Sequence, residues 1–555
     1  MLGQYISPTA LEFAALRLFL FGAFLAAGIV LWRRPRPALA AGLLIGLNLV
    51  SWIAYRASIR RPYALNEGTD RAFNVGMAAC LAAGASPFEH TQVRFGAPEP
   101  FWNVVIGALV FHRPERAAAV YELLTPLSLV LVGLGVFYGL RMEPSPQDGW
   151  ERVLLLFAAV DLSSLSLSPD PPVPLFWAGN FLLKPNHAIG LGMVVAVVGL
   201  CSRTRTRTWL TAGLLALLPW VSLLHWAYGL VGLALGLWFR PRSDRPSRSV
   251  MIAVAASAVA VAPLLVHLAR HYGPFQTHAA ARHMWKDGLG LVLAVPNWTT
   301  LDLGPLLTLG LAGALALGAR GAPRDRMLLG LMCGGFGLWL LSVPAALLGV
   351  APEPDELHYF VRFVVALGAG TALAAAARWW ESQRGLATGR GHLLVAGLCL
   401  PLAFPLYWDP PSMDRYYRIN MSPLSPKIDA YAEWIRANTS PRAVFAGGRT
   451  SSTWIPALAG RQVLLAEAGK LLPPDLSERK EVERVLLTEY DPDRVRAAAA
   501  RYGVTHVAID PPLLDEYGVG SSAELAPSPV YRTCMVNSAV RLLEIQARPP
   551  GVTPP

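Results

Sequence analysis

The sequence has few charged residues. Only 15% of its 555 residues are Asp, Glu, Lys or Arg, whereas 54% are hydrophobic, and the mean hydropathy is +0.40. Soluble globular proteins carry about 25% charged residues. This composition therefore excludes an ordinary soluble protein and makes the lipid bilayer the main solvent of the chain.

Cysteine is also scarce, and the five cysteines form no pattern. The absence of a CxxC pair and of zinc-ligand spacing argues against a zinc knuckle and a disulfide framework. The sequence has no GxGxxG fingerprint, Walker loop or nucleophile elbow, so nothing marks a nucleotide site or a hydrolase. The net charge of +11 does not indicate a nucleic-acid partner, because most of the excess arginine lies in short links between apolar runs.

Long apolar runs are abundant up to Trp408 and stop there. About twelve runs are long enough to cross a bilayer. They lie near residues 11–32, 37–55, 119–140, 152–168, 186–201, 208–222, 225–239, 249–268, 303–319, 327–349, 361–378 and 392–408. The sequence therefore predicts a transmembrane domain over residues 1–408 and a soluble domain, called the tail below, over residues 409–555.

Arginine is concentrated in every second link between these runs, as at 33–36, 203–207, 240–248 and 320–326. By the positive-inside rule, these links face the cytoplasm. The long loop 56–118, called the outer loop, then lies outside together with the tail. We interpret residues 208–239 as two short spans that meet in an aromatic hairpin, and the alternative is one kinked span.

Two regions outside the runs show regular patterns. In the outer loop, residues 72–83 and 101–111 have the apolar spacing of amphipathic helices, which we expect along the outer membrane surface. The tail alternates helical and β-like segments. The predicted fold class is mostly α, a polytopic membrane helix bundle of about 12 spans with a small C-terminal α/β domain.

Three carboxylates are candidates for chemistry. Glu67 and Asp70 lie just outside the second run, before an amphipathic pattern. A carboxylate there can accept a proton from a hydroxyl or hold a metal, but it can equally cap a helix. Asp161 lies inside an apolar run, where it is costly unless paired or hydrated. It is therefore either a second functional carboxylate or a structural hydrogen-bonding partner of a neighbouring helix.

An acidic residue in the first large outer loop, followed by a short helix and the small-residue phrase at 82–88, resembles membrane glycosyltransferases of the GT-C fold. The resemblance extends to the many-span body and to phrases at 184–187, 358–362, 454–461 and 502–507. The sequence differs in the spacing of Glu67 and Asp70, since the family's acidic pair is adjacent or separated by one residue. It also has one extra helix before the acidic loop.

The resemblance implies a bacterial-type enzyme of the inner membrane, with an extracytoplasmic tail. Such an enzyme moves a hexosyl or pentosyl group from a polyprenyl-phosphate donor to an acceptor outside the cytoplasm. The transfer needs a base at the attacking hydroxyl and cations around the leaving phosphate. The resemblance implies Asp70 as the base, with Glu67 as the other member of the acidic pair, and Asp161 stays a candidate for a further catalytic carboxylate on the ground of its position alone. The residues implied as phosphate neighbours are Arg71, Lys184, His187, His358 and Arg362.

The membrane and a lipid-linked sugar are the implied partners, whereas protein partners stay open. No cofactor is certain, and a divalent cation stays open with its ligands unknown. A transporter or flippase of lipid-linked sugars is a second function class, which paired inverted repeats or broken spans would favour. A catalytically silent scaffold on the same fold is a third.

Four histidines between 267 and 283 invite a metal hypothesis. His267 and His271 have helical spacing but lack the intervening glutamate of a metalloprotease motif. We therefore predict a solvated or headgroup-facing loop here.

Overall fold

The structure is a computed structural model of the chain. It describes residues 10–59, 70–97, 100–141, 145–164, 185–202, 208–241, 247–272, 303–347, 354–407, 426–466, 473–537 and 540–547.

Helices make up nearly all of the described chain before residue 408. They are α1 Ala10–Arg33, α2 Pro37–Ile59, α3 Asp70–Ala82, α4 Pro100–Val110, α5 Ala117–Leu134, α6 Pro146–Val160, α7 Pro185–Ser202, α8 Thr208–Val221, α9 Leu223–Phe239, α10 Ser247–Tyr272, α11 Gly304–Arg320, α12 Pro323–Leu347, α13 Pro354–Arg384 and α14 Arg390–Tyr407. Short 3₁₀ turns occur at Pro114–Arg116 and Leu162–Ser164, and a π-helical turn extends α5 over Gly135–Gly139.

Each predicted apolar run coincides with a helix, and the chain is mostly helical as expected. Within the described residues, two helices are long and apolar enough to cross a membrane, Val250–His271 and Phe360–Arg384. A third joins them if Pro114–Tyr121 and Pro126–Gly139, bent by 43°, form one span. The other apolar segments found among the described residues, such as Phe21–Arg33 and Pro37–Val50, are shorter, so the count of about 12 spans stays a prediction.

The predicted boundary of the run at 152–168 was wrong. The helix α6 starts earlier, because Pro146 occupies its first turn and the Ser145 hydroxyl accepts a hydrogen bond from the Asp148 N–H at 3.1 Å. It ends at Val160, and a 3₁₀ turn follows. Asp161 therefore lies at a helix end rather than within a span.

The chain reverses direction between α8 and α9, as the hairpin interpretation predicted. The Arg240 guanidinium, after α9, donates to the Cys201 carbonyl near the end of α7 at 3.0 Å. The helices α7 and α9 therefore finish at the same end of the bundle. Because only the link 203–207 separates α7 from α8, α8 starts at that end. The turn at Ser222 therefore lies at the opposite end.

Buried ion pairs join the helix ends that carry the arginine links, called the arginine-rich end below. Glu151 of α6 is 4% exposed and accepts hydrogen bonds from Arg320 of α11, Arg324 of α12 and Arg378 of α13 at 2.8 to 3.0 Å. Asp148 also pairs with Arg324. Four helices are thus fixed to one another at this end, and the opposite end is called the outer end.

Glycines allow two helix pairs to pack with their backbones in contact. A Cβ at Gly313 of α11 would lie 1.8 Å from the Gly368 carbonyl oxygen of α13. A Cβ at Gly330 of α12 would lie 2.1 Å from the Gly236 nitrogen of α9. No larger residue fits at these crossings, which is the small-residue packing typical of helices in membranes.

The tail contains a five-stranded mixed sheet with strand order β2-β1-β3-β5-β4. The pairs β2–β1 and β1–β3 are parallel, and β3–β5 and β5–β4 are antiparallel. Its elements are α15 Pro426–Asn438, β1 Val444–Gly447, α16 Arg449–Trp454, a π-helical turn Ile455–Ala459, β2 Gln462–Val463, α17 Leu476–Thr488, α18 Pro492–Tyr502, β3 Val504–Ile509, α19 Pro511–Tyr517, β4 Tyr531–Val536 and β5 Arg541–Ile545.

Helices cover both faces of this sheet. Alternate residues of a strand point to opposite faces, so Phe445 packs with Ile435 of α15, and Val444 packs with Val482 of α17. The small α/β fold predicted for the tail is therefore present as a mixed sheet.

Candidate functional site at the outer end

Asp70 is the first residue of α3 in the outer loop. Its side chain, with those of Arg71 and His358, lies outside the described part of the structure, as do Glu67 and Lys184 entirely. Their contacts with one another stay predictions. The helix that Asp70 begins is described, and its packing fixes where that residue's backbone lies.

Two sides of α3 are held by other parts of the chain. Val75, Ala78 and Ala79 are fully buried in a cluster with Trp102 of α4 and Ala457 of the π-helical turn in the tail. The helix is therefore packed against both the bundle and the tail, which is compatible with the predicted position of residues 72–83 along the outer membrane surface. By contrast, α4 exposes Val104 and Leu109, and its place at the membrane surface stays a prediction.

Gly76 brings α3 close to the tail. A Cβ at this position would lie 2.8 Å from Thr91 Cγ2 and 3.0 Å from Pro456 Cβ. A side chain here would push the π-helical turn away from α3. The start of α3 is thus positioned by the tail as well as by the bundle.

The outer loop also extends the sheet of the tail. The Val93 N–H donates to the Val463 carbonyl and the Val463 N–H donates to the Thr91 carbonyl, both at 2.9 Å. Gln92 pairs with Val463 in parallel orientation, and the Gln462 side chain donates to the His90 carbonyl at 3.1 Å. We call the contact of residues 90–93 with Gln462, Val463 and Arg479 the loop–tail clamp.

Arg479 is the central side chain of the loop–tail clamp. It is 1% exposed and donates to Asp475 Oδ1 at 2.8 Å, to the Leu464 carbonyl at 2.6 Å and to the Val93 carbonyl at 2.7 Å. Burial alone would raise the pKa of Asp475, but hydrogen bonds from Arg479 and Tyr502 lower it below its usual value. The guanidinium therefore joins the outer loop, through Val93, to two segments of the tail, through Leu464 and Asp475.

His90 lies buried in the loop–tail clamp. Its Nδ1 accepts a hydrogen bond from the Gln92 N–H at 3.2 Å, and its ring meets Phe95 edge to face at 5.1 Å. Burial, with a smaller contribution from the charge of Arg479, lowers the pKa of His90 to about 3. The imidazole is therefore neutral at physiological pH.

A second polar cluster lies at the outer end of the bundle and includes two predicted site residues. Asp161 follows α6 and is 6% exposed, and Arg362 of α13 is 2% exposed. The Arg362 Nε donates to the Ser163 carbonyl at 2.8 Å, and Asn48 of α2 hydrogen-bonds to the Asp161 carboxylate. The turn Leu162–Ser164 thus connects a buried carboxylate to a buried, oriented guanidinium.

His187, a third predicted residue, lies on the other side of α13. Its ring meets His225 of α9 edge to face at 5.2 Å, and His225 Nδ1 lies 2.8 Å from the Ser222 hydroxyl. Phe360 contacts the His225 ring at 5.8 Å and stacks on Tyr228 at 4.6 Å. Since Phe360 precedes Arg362 by two residues, the first described turns of α13 contact both clusters.

Sequence reasoning missed His225 as a site residue. It treated this residue only as part of the aromatic hairpin within residues 208–239. A serine and a histidine three residues apart, at the turn between two short spans, were the available signal. Polar side chains at such a turn lie at a helix end, where a polar cluster is less costly.

The described residues contain no group of three His, Cys, Asp or Glu side chains placed to hold a metal ion. The solvated loop predicted for His267 and His271 was wrong, because α10 continues to Tyr272 and packs on the outer loop. His267 Nε2 lies 3.1 Å from the Ala97 carbonyl, and its ring lies 5.4 Å from Phe88. The other two histidines of this region, at 278 and 283, lie outside the described residues.

No family model matches the sequence, and no characterised protein matches it significantly. Several solved structures do match the fold of this chain. The apo oligosaccharyltransferase of Archaeoglobus fulgidus is 14% identical, with 86% of this chain and 70% of that chain covered and a TM-score of 0.51. In its complex with zinc and sulfate, 64% of that enzyme is covered, so this chain spans less than two thirds of it there.

A mutant arabinofuranosyltransferase AftD from Mycobacteria is 15% identical, with 93% of this chain and 42% of that chain covered and a TM-score of 0.51. ArnT from Cupriavidus metallidurans, bound to undecaprenyl phosphate, is 12% identical, with 91% and 98% covered and a TM-score of 0.48. Likeness at such low identity shows a fold and not an activity. The chain is structurally similar to GT-C glycosyltransferases over most of its length.

Proposed function

We propose that the chain is a membrane glycosyltransferase that moves a sugar from a polyprenyl-phosphate donor to an acceptor on the outer side of the membrane. The observation that carries this proposal is the position of two buried groups at the outer end of the bundle, Arg362, which donates to the Ser163 carbonyl, and Asp161, which lies two residues before Ser163. Two solved sugar transferases share the fold in which these groups lie.

Arg362 is the proposed ligand of the donor phosphate. Its Nε is held by the Ser163 carbonyl at 2.8 Å, which fixes the plane of the guanidinium. A planar fork suits two oxygens of one phosphate, and burial strengthens the attraction relative to water. The proposed further neighbours of the phosphate are Arg71, Lys184, His187 and His358.

Asp70 is the proposed base that accepts the proton of the acceptor hydroxyl. Its place at the first turn of α3 supports this role, because α3 is held by the bundle and by the tail together. Glu67 and Asp161 are the proposed supporting carboxylates. A base contributes only when its distance to the reacting hydroxyl is maintained, and the enclosure of α3 would maintain it.

The loop–tail clamp supports the proposed topology. Residues 91–93 pair with β2 of the tail, so the outer loop and the tail lie on one side of the membrane. The buried ion pairs lie at the other end of the helices. We therefore propose a transmembrane domain over 1–408 in the inner membrane and an extracytoplasmic domain over 409–555.

The experiment is sugar transfer in membranes that contain the full chain, with a panel of hexosyl and pentosyl polyprenyl phosphates. Asp70→Asn is expected to lower the rate by roughly 100-fold or more at equal protein level, the usual contribution of a general base. Asp515→Asn, on the exposed surface of α19, is the matched control and should transfer at the normal rate.

Two other outcomes decide against parts of the proposal, and a third decides whether a divalent cation is needed. Full transfer by Asp70→Asn would exclude it as the base and assign the role to Asp161, which Asp161→Asn then tests. Absence of transfer by the unmodified chain with every donor would contradict an enzyme and favour a transporter or a scaffold. Loss of transfer on addition of a chelator would establish a need for a divalent cation.

A further inference from the structure

An apolar cavity lies between α1, α2, α6 and α14. Its volume is about 120 Å³, and it is lined only by Phe, Leu, Val, Ala and Gly, among them Leu31, Leu44, Phe157 and Leu393. Gly397, also in the lining, is exposed on the surface of the bundle. The cavity therefore opens toward the surrounding lipid and offers no polar group to a sugar or a phosphate.

The cavity lies in the half of the bundle nearer the arginine-rich end. On α1 its lining runs from Phe24 to Leu31, close to the helix end at Arg33, and on α14 it runs from Leu393 to Leu400. At 1.5 Å per residue, these positions lie about 3 to 15 Å from the arginine-rich end. A hydrocarbon core is about 30 Å thick, so the cavity lies within the half of the core nearer that end. A molecule in the cavity therefore belongs to the leaflet on that side.

Cations surround the cavity on the arginine-rich side. Arg33, Arg34 and Arg36 form the link between α1 and α2, and Arg390 begins α14. The Arg390 guanidinium lies over the Trp32 ring, 5.2 Å from its centre. The Nε of Arg390 is buried and, within the described structure, has no hydrogen-bonding partner. The helix ends beside the cavity are thus strongly basic.

Within the described part of the chain, no carboxylate is paired with these arginines in a salt bridge. The Glu381 carboxylate is the acidic group next to the start of α14, and its Oε1 accepts hydrogen bonds from the N–H groups of Gly389 and Gly391 and contacts His392 Nδ1. It is already engaged by the backbone and the imidazole. The basic groups at this end of the cavity are therefore available to an anion.

We propose that the cavity holds an acyl chain of an anionic phospholipid from the leaflet on the arginine-rich side, with the lipid phosphate at Arg390 and the link 33–36. The apolar lining selects a hydrocarbon chain, the basic rim selects a negative headgroup, and Trp32 lies at the depth typical of interfacial tryptophan. A polyprenyl donor is disfavoured, because its phosphate would have to lie at the outer end, beside Arg362. The exclusion of the donor rests on the proposed function, whereas the apolar lining and the basic rim do not depend on it.

The test compares binding of dioleoyl phosphatidylglycerol and dioleoyl phosphatidylcholine to the full chain in neutral detergent by native mass spectrometry. Phosphatidylglycerol is expected to bind more tightly. Arg390→Gln should weaken its binding about fivefold, the effect of one basic residue near a membrane surface, and leave phosphatidylcholine unchanged. Arg326→Gln, on α12 away from the cavity, is the matched control and should bind as the unmodified chain does.

A second variant tests the apolar part of the site. A Cβ at Gly397 meets nothing within 4 Å, so Gly397→Leu should fold normally, fill the cavity and abolish binding of both lipids. Gly42→Leu is the control, because Gly42 of α2 is equally open but does not line the cavity. Equal affinity for the two lipids, or unchanged binding by Gly397→Leu, would overturn the proposal. Displacement of phosphatidylglycerol by a polyprenyl phosphate, with the same sensitivity to Gly397→Leu, would assign the cavity to the donor and overturn it as well.

Discussion

Replacing Arg479 by methionine should open the loop–tail clamp. The change keeps much of the aliphatic length and removes a guanidinium that is 1% exposed and donates to Asp475, to the Leu464 carbonyl and to the Val93 carbonyl. Solvent screens the pair with Asp475, whose side chain is 32% exposed, so the hydrogen bond to the Val93 carbonyl sets the scale of the loss. A hydrogen bond to a charged group contributes about 1.5 to 3 kcal/mol. Because Val93 belongs to the outer loop, we expect a loss of that order in the contact between loop and tail.

Hydrogen exchange measures this loss directly. The N–H groups of Val93 and Val463 form the hydrogen bonds that pair the loop with β2. Since about 1.4 kcal/mol corresponds to a factor of ten, a loss of about 1.5 to 3 kcal/mol should accelerate their exchange in the full chain roughly 10- to 100-fold in Arg479→Met.

Arg484→Met is the matched control for this prediction. Arg484 lies on the same helix, α17, is 57% exposed and pairs with Glu481 at 2.6 Å. An exposed pair of this kind contributes about 1 kcal/mol or less, so exchange of the two amides should stay near normal. Equal exchange in the two variants would refute the reasoning, because it would mean that the buried guanidinium does not hold the loop–tail clamp.

Two further predictions concern the pH dependence of stability and the sidedness of the chain in the membrane. Burial holds the pKa of His90 at about 3, whereas an unfolded histidine has a pKa near 6.5, so the unfolded state binds more protons between these values. Stability should therefore fall as the pH drops from about 6.5 toward 3, by up to roughly 1.4 kcal/mol per pH unit. His90→Asn should flatten the pH dependence of the melting temperature. His112→Asn, at an exposed position, should leave that dependence unchanged. Equal pH profiles in the two variants and the unmodified chain would contradict the prediction. The arginine links predict the sidedness: reporter fusions after positions 248 and 326 should report the cytoplasm, and a fusion after position 411 should report the outside. A cytoplasmic signal from the last fusion would contradict the topology.

Sequence reasoning placed the helices well because one local quantity, the length of an apolar run, determines them. The run at 37–55 became α2, and the run at 392–408 became α14, with ends shifted by a few residues. It failed at the start of α6, because the apolar run begins only at residue 152, after Glu151. The burial of Glu151 depends on Arg320, Arg324 and Arg378, and no local pattern shows that these distant side chains meet.

The candidate site also has a part that the sequence predicted and a part that it did not. Asp161 stood out because a carboxylate in an apolar run is costly, and the structure places it beside a turn that contacts Arg362, another predicted residue. The loop–tail clamp gave no signal, since its partners are separated by up to 386 residues and its bonds involve mostly backbone groups. Backbone pairing at such separation depends on the tertiary fold and leaves little mark on residue type.

The central claim is that the outer end of the bundle binds a lipid-linked phosphate, and binding of a short-chain polyprenyl phosphate to the purified full chain tests it most directly. The unmodified chain should bind it, Arg362→Ala should bind it at least tenfold more weakly, and Arg362→Lys should recover only part of the affinity because lysine lacks the planar fork. Arg532→Ala, in the exposed strand β4, is the control and should bind normally. Unchanged affinity in Arg362→Ala, with Arg362→Lys and the control also unaffected, would contradict the account.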